Sequence, residues 1–188
     1  MKRTDITVTL GAEASDVDYI LANLRPADLY EFTCADLCPN RDRDVLVKLA
    51  TSPEAMVFRL RGEPVFVWGI HRHAHAGILW GYGTSKTPRI IPAATRLGKR
   101  WWLKRAFDKE GIRRIEVRVP LNSQHSISWL RKTGMTVECW DIRDHSSNGA
   151  TMVQLAYTTK EYIRDYVHIQ ATGSSGSGID TGPTEDVV

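Results

Sequence analysis

The sequence predicts an α+β domain with a mixed sheet of about six to seven strands and flanking helices. Three alternating apolar segments separated by short turns over residues 54–84 predict an antiparallel meander. A helical stretch and a further strand follow, which is typical of a βαβ crossover, and a last strand pair surrounds the turn-rich loop DHSSNG. With 188 residues, 42% of them hydrophobic, the chain is long enough for one core of normal size.

The amino-terminal quarter predicts one strand and then three helices. Residues 6–10, ITVTL, alternate and are closed by Gly11, as in a half-buried strand. Ser15 is the expected cap of the first helix, and Pro26 opens the second. A third helix is expected after the charged run RDRD and before Pro53.

The three alternating segments are EAMVFRLRG, EPVFVWGIHRH and GILWGYGT. Pro88 or Pro92 suits the first turn of a long helix that ends at Gly111. The segment IRRIEVRVP predicts a strand, and Asn122 or Ser123 is expected to cap a short helix that ends at Gly134. The six tryptophans are expected mostly in the core.

The predicted domain covers residues 1–168, and residues 169–188 form a flexible, acidic, Gly/Ser-rich tail with little apolar surface to bury. A formal net charge of +3 is too small to require a nucleic-acid or membrane partner. No apolar run reaches the roughly 20 residues needed to cross a bilayer, and we expect no membrane-spanning segment.

The segment NSQHSISWLRKTGM resembles the helix after the fifth strand in GNAT acyltransferases. Together with ILANLRPADLYEF and RWWL, it looks more specifically like the small GNAT-like internal virion or head-associated proteins of short-tailed phages. The resemblance covers roughly residues 5 to 165 and implies a GNAT-like sheet. It also implies acetyl-CoA as the cofactor if the protein is an active enzyme.

A GNAT enzyme holds the CoA diphosphate on backbone N–H groups of a glycine-rich loop before its central helix. The corresponding segment, GTSKTPRIIPAATRLGKRWW, lacks the glycine pair and has prolines at positions 88 and 92, where donors are needed. Lys86, Arg89 and Arg96 could supply charge in compensation. Tyr82 and Thr84 are further candidate cofactor-binding residues that could line the acceptor cleft, but core packing and an edge hydroxyl explain them equally well. The loop is therefore expected to be degenerate and to bind acetyl-CoA weakly or not at all.

Catalysis would require a base for the amine and often a tyrosine that protonates the thiolate. The resemblance puts Leu130 where the family has its tyrosine, and Leu130 cannot donate a proton. Glu116 is the candidate catalytic carboxylate. The alternative for Glu116 is a solvated strand position paired with a neighbouring arginine.

We expect no metal site. His71, His73 and His75 share a strand face but lie at a hairpin end without a carboxylate. Cys34 and Cys38 are expected to be buried small side chains rather than metal ligands.

Three function classes follow. The first is a phage virion-associated or assembly protein with a degenerate acetyl-CoA site, located in the virion interior or host cytoplasm, whose partners are other virion or assembly proteins. The second is an active acetyl-CoA-dependent N-acetyltransferase acting on an amine of a protein or small molecule. The third is a nonspecific nucleic-acid binder, in weak contact with genomic DNA through a basic stripe formed by Arg96, Arg100 and Lys104. The alternative interpretation of this stripe is a solvated helix face.

Overall fold

The computed structural model describes residues 5–73, 76–99 and 112–158. Its strands are β1 (Ile6–Leu10), β2 (Ala55–Leu60), β3 (Glu63–His73), β4 (Ala76–Gly83), β5 (Arg114–Pro120), β6 (Thr136–Ile142) and β7 (Met152–Thr158). They form one seven-stranded sheet in the order β1-β2-β3-β4-β5-β7-β6. The predicted meander and the last strand pair are both confirmed.

The helices of the described residues are α1 (Ala14–Ala22), α2 (Pro26–Cys34), α3 (Arg43–Ala50), α4 (Ile91–Leu97) and α5 (Gln124–Thr133), and Thr87–Arg89 forms a 3-10 turn. None of these helices is long and apolar enough to cross a membrane. Residues 100–111 of the long helix predicted after Pro92 lie outside the described residues.

Prolines and glycines define several helix ends as predicted. Pro26 is in the first turn of α2, and Pro92 is in the first turn of α4. Gly134 ends α5 with φ of +106°, a left-handed conformation that glycine adopts without strain. The prediction for Ser15 was wrong, because α1 begins at Ala14 and its capping residue is Glu13, which exchanges hydrogen bonds with Asp16.

Each face of the sheet has its own apolar core, because side chains alternate along the strands. Met56, Phe58 and Phe66 face α4 and α5, and they pack with Ile127 and Leu130 of α5. Val57, Val67 and Tyr82 point the other way and pack against α1, α2 and α3. Strands β2, β3 and β4 are therefore covered on both sides.

Met1–Tyr157 forms one compact unit, and Thr158–Val188 forms a second. Of the second unit only Thr158, the last residue of β7, is described. The predicted domain boundary after residue 168 lies outside the described residues.

Candidate functional site

Strands β4 and β5 separate in the middle of the sheet. They pair in parallel only at Ala76–Arg114, Gly77–Ile115 and Ile78–Glu116. After Ile78 and Glu116 the described register contains no further pair between the two strands, so the chain opens a gap at the centre of the sheet. Along this gap the backbone groups of the two strands are not used for pairing with each other in the described register.

A narrow slot of about 170 Å³ occupies this gap. Leu79 and Gly81 of β4 form one wall, and Val117 and Val119 of β5 form the other. A Cβ at Gly81 would lie 3.0 Å from the Cβ of Trp68, so a side chain there would require its neighbours to shift by a few tenths of an ångström. The slot suits a thin, mainly apolar chain.

Aromatic rings line one side of the slot. Trp129 of α5 lies with its ring centroid 5.5 Å from that of Trp68 and 5.9 Å from that of Phe66. Its Nε1 donates a hydrogen bond to Thr95 Oγ1 at 3.0 Å, which fixes α5 against α4. The rings give this side of the slot a rigid, apolar surface.

An open cleft of about 660 Å³ adjoins the slot. Its walls come from the end of α2, from β4 and β5, and from the loop between β6 and β7. Leu79, Val117 and Arg118 line both cavities. A molecule in the slot could therefore meet a second molecule in the cleft.

Glu116 lies in the wall of this cleft, within a network of ion pairs. Its Oε2 accepts a hydrogen bond from Arg114 Nε at 3.0 Å, and its Oε1 lies 3.9 Å from Arg118 Nη2. Arg118 Nη1 also lies 3.0 Å from His145 Nε2. Because guanidinium groups face both oxygens, Glu116 would have to leave an arginine to reach the proton of an amine.

A second carboxylate, Glu31 of α2, lines the slot and was not recognised in the sequence. Ser126 donates a hydrogen bond to Glu31 Oε1 at 3.0 Å. Burial is the largest cause of a raised pKa for this carboxyl, and the nearby Asp28 charge adds to it. A carboxylate with a raised pKa is a stronger base than an ordinary glutamate. Only the packing of α2 against the sheet brings Glu31 to the slot.

The turn between β4 and α4 is the segment in which the sequence resemblance predicts the diphosphate loop. Its backbone donors bond within the turn: the N–H of Thr87 donates to Thr84 O at 3.0 Å, that of Arg89 to Lys86 O at 3.0 Å, and that of Ile90 to Thr87 O at 3.0 Å. The N–H of Lys86 donates to Thr84 Oγ1 at 3.2 Å. Prolines at 88 and 92 have no N–H.

Packing holds this turn in place. The Thr87 hydroxyl is buried and donates to Val65 O at 2.9 Å. A Cβ at Gly83 would lie 2.2 Å from Thr87 Oγ1, so only glycine allows the strand end and the turn to approach this closely. Opening the turn toward a ligand would break these contacts.

None of the predicted cofactor residues lines the slot or the cleft. The Nζ of Lys86 lies 2.5 Å from Glu63 Oε2, and Tyr19 Oη also donates to that carboxylate. Arg89 and Arg96 are exposed, and Thr84 is buried in a bridge to Leu24. The remaining residues of the basic stripe, Arg100 and Lys104, lie outside the described residues.

Tyr82 belongs to the core on the α1–α3 side. It is 2% exposed, its ring packs edge-on against Phe32 at 5.4 Å, and burial raises the pKa of its hydroxyl. Neither of the two cavities has Tyr82 in its wall. Leu130, in the position that the resemblance gives to the family tyrosine, is buried and lines the slot without a proton to donate.

The cysteines and histidines considered as metal ligands in the sequence are Cys34, Cys38, His71, His73 and His75. Cys34 is buried, as expected, but the expectation for Cys38 was wrong, because Cys38 lies beyond the end of α2 and is exposed. His71 and His73 are exposed at the end of β3, and His75 lies outside the described residues.

No protein-family model matches the chain, and no curated protein matches its sequence. Solved structures do match its fold. An acetyltransferase of the GNAT family from Bacillus anthracis has a TM-score of 0.59 and 16% identity, with 84% of this chain and 97% of that chain covered. Ribosomal-protein-S5-alanine acetyltransferase from Vibrio fischeri has a TM-score of 0.59 and 14% identity, with 86% and 97% covered. Ard1 from Thermoplasma volcanium has a TM-score of 0.64 and 11% identity, with 82% and 98% covered.

At these identities the likeness establishes the fold. The chain has the α+β fold of GNAT acetyltransferases, with a mixed seven-stranded sheet and helices on both faces. The predicted fold class is confirmed.

Proposed function

We propose that this protein uses the GNAT fold as a binding scaffold with a degenerate acetyl-CoA site, and that it acts as a virion-associated or assembly protein of a phage. Its partners in that role are other virion or assembly proteins. The assignment to a virion rests on the three resembling segments of the sequence. Mass spectrometry of purified particles tests it directly, and absence of the protein from them would contradict it.

The hydrogen bonding of the β4–α4 turn carries the proposal of a degenerate site. Among residues 84–94, two are prolines and most of the other N–H groups already donate to acceptors within the turn or its neighbours. At most the amides of Ser85 and Ile91 are left for a diphosphate. A GNAT cofactor site needs several adjacent donors, because each diphosphate oxygen loses its bonds to water on binding.

The charge near the turn supports the same proposal. Lys86 lies in the turn and is neutralised by Glu63. Hydrogen bonds from Lys86 and Tyr19 lower the pKa of the Glu63 carboxyl. A phosphate would have to compete with this carboxylate for the ammonium group. Lys86 therefore compensates poorly for the missing backbone donors.

Calorimetry with acetyl-CoA tests the proposal. The expected dissociation constant is weaker than about 1 mM, since the favourable contacts are limited to the slot. Acetyl-pantetheine, which lacks the diphosphate, is the matched control ligand and should bind no more weakly than acetyl-CoA. A micromolar dissociation constant for acetyl-CoA with 1:1 stoichiometry, together with loss of binding for acetyl-pantetheine, would contradict the closed turn.

The second candidate is an active N-acetyltransferase, and the geometry of Glu31 favours it. The slot adjoins an open cleft, and Glu31 has the raised pKa that suits a base. In direct transfer, the amine attacks the thioester carbonyl, the C–S bond breaks, and Glu31 takes the ammonium proton as CoA leaves as a thiolate. Release of CoA thiol in the presence of amines, abolished in Glu31→Gln but retained in Glu116→Gln, would establish this candidate over the first.

A further inference from the structure

A third cavity lies away from the slot and the cleft and shares no lining residue with them. It is an open groove of about 670 Å³ between the second half of α5 and strand β6. Its wall includes Ser128, Arg131 and Lys132 of α5 and Thr136, Val137 and Trp140 of β6. We call this surface the α5–β6 groove.

Trp140 is the aromatic residue of the groove, and it departs from the expected burial of tryptophan. It is 50% exposed, on a strand at the edge of the sheet. The register of β6 is interrupted after Val137 and again after Cys139, which pairs with Gln154. Val137 and its β7 partner Leu155 pack against the α5 core. Because the register is irregular between Val137 and Ile142, Trp140 lies on the same groove as Val137.

Both charged residues in the groove wall are cations. Arg131 and Lys132 form no ion pair with any described residue, and the wall contains no carboxylate. The acidic residues beside Trp140 on β6 are already paired, Glu138 with Arg114 and Asp141 with Arg143. The last turn of a helix favours Lys and Arg, which explains the charges, but it does not explain a half-exposed indole next to them.

We propose that the α5–β6 groove binds single-stranded nucleic acid without sequence preference. An unstacked base would lie against the Trp140 indole, and Arg131 and Lys132 would contact the phosphates on its two sides. Ser128 and Thr136 hydroxyls can donate to phosphate or sugar oxygens. A duplex fits less well, because its bases stay stacked inside the helix and cannot reach the indole.

This surface is distinct from the basic stripe predicted in the sequence. Only Arg96 of that stripe is described, and it is exposed on α4, the helix that contacts α5 through Thr95 and Trp129. The groove combines the Trp140 ring with two cations. It is independent of acetyl-CoA, so the proposal extends beyond the function proposed above.

Fluorescence anisotropy with a labelled oligothymidylate of about fifteen nucleotides and the full chain tests the proposal. We expect binding at low ionic strength that weakens with salt and is tighter than that of a duplex of equal length. Trp140→Ala should weaken binding about 5- to 150-fold, and Trp140→Phe should retain most of it. Absence of binding, or equal binding by Trp140→Ala, would overturn the proposal.

A matched pair of lysines tests the electrostatic part. Lys132 and Lys48 both lie in the last turn of a helix and are exposed, but only Lys132 lies in the groove. Lys132→Ala should reduce the log–log salt slope by about 0.7, the value for one phosphate contact of a single strand, and Lys48→Ala should leave it unchanged. Equal effects would show general attraction and contradict a site. Binding of polyglutamate, but not of the oligonucleotide, would assign the groove to an acidic protein instead.

Discussion

The two halves of the sheet differ in how many of their faces are covered. In the half that contains β2, β3 and β4, helices α1–α3 cover one face and α4 and α5 the other, so that β2 is buried at five of its six positions. In the half formed by β5, β7 and β6, one face packs on the α5 core and the other carries Arg114, Glu116 and Glu138. The slot lies where the two halves meet.

Arginine–carboxylate pairs occur in both halves and show what this difference means. In the covered half, Arg25 holds Asp28 with two hydrogen bonds of 2.7 Å, and Asp28 also accepts the N–H of Gly83 at 2.8 Å. In the open half, Arg114 pairs with Glu138 in contact with solvent. The chemistry of the pairs is the same, but the free energy each contributes depends on access to water.

Asp28→Ala should have the largest effect. It would leave Arg25 partly buried without its partner and the Gly83 N–H without an acceptor, and breaking a buried pair costs about 3 to 5 kcal/mol. Chemical denaturation of the variant and the wild type measures this loss of unfolding free energy. A loss below about 1 kcal/mol would mean that water reaches this pair as easily as the pair in the open half.

Glu31→Gln should have an intermediate effect that depends on pH. Because burial raises the folded pKa of Glu31 above its unfolded value near 4.5, the contribution of Glu31 to wild-type stability falls as pH rises from 4.5 through the folded pKa and is constant above it. Glutamine removes this fall and can still accept from Ser126, so the variant should be more stable at neutral pH, on the order of 1 kcal/mol.

Thermal midpoints of the Glu31→Gln variant and the wild type across pH 4 to 8 make the measurement. Burial and the nearby Arg25 lower the pKa of His125. Because His125 titrates in both proteins, its contribution to stability cancels in their difference. A variant that is less stable than the wild type at neutral pH would show that the Glu31 carboxylate is favourably solvated in the slot.

Glu138→Ala should have the smallest effect, about 0 to 1 kcal/mol, because solvent screens an exposed pair. Arg114 lowers the pKa of Glu138, so the contribution is present above the unfolded pKa and is lost as pH falls through the folded value. Denaturation at neutral pH in low and high salt checks this. A loss as large as that of Asp28→Ala would show that the network in the open half is shielded from water.

The sequence determined the elements and the fold class. The segments AMVFRL and EPVFVWGIHRH specify strands through short apolar runs bounded by turn residues, because a strand that is covered on both faces needs apolar side chains at successive positions. Pro26 and Gly134 define helix ends through their backbone conformations alone. The loss of two donors at prolines 88 and 92 was also evident, because it follows from the residue type.

Only the tertiary structure decided which residues meet. Glu31 and Ser126 are far apart in the chain, and the packing of α2 and α5 against the sheet places them 3.0 Å apart at the slot. The pairing of Lys86 with Glu63 and the exposure of Trp140 depend likewise on sheet register and strand order. Burial and charge partners come from long-range packing, which local sequence patterns do not contain, and they set the chemistry of each candidate site.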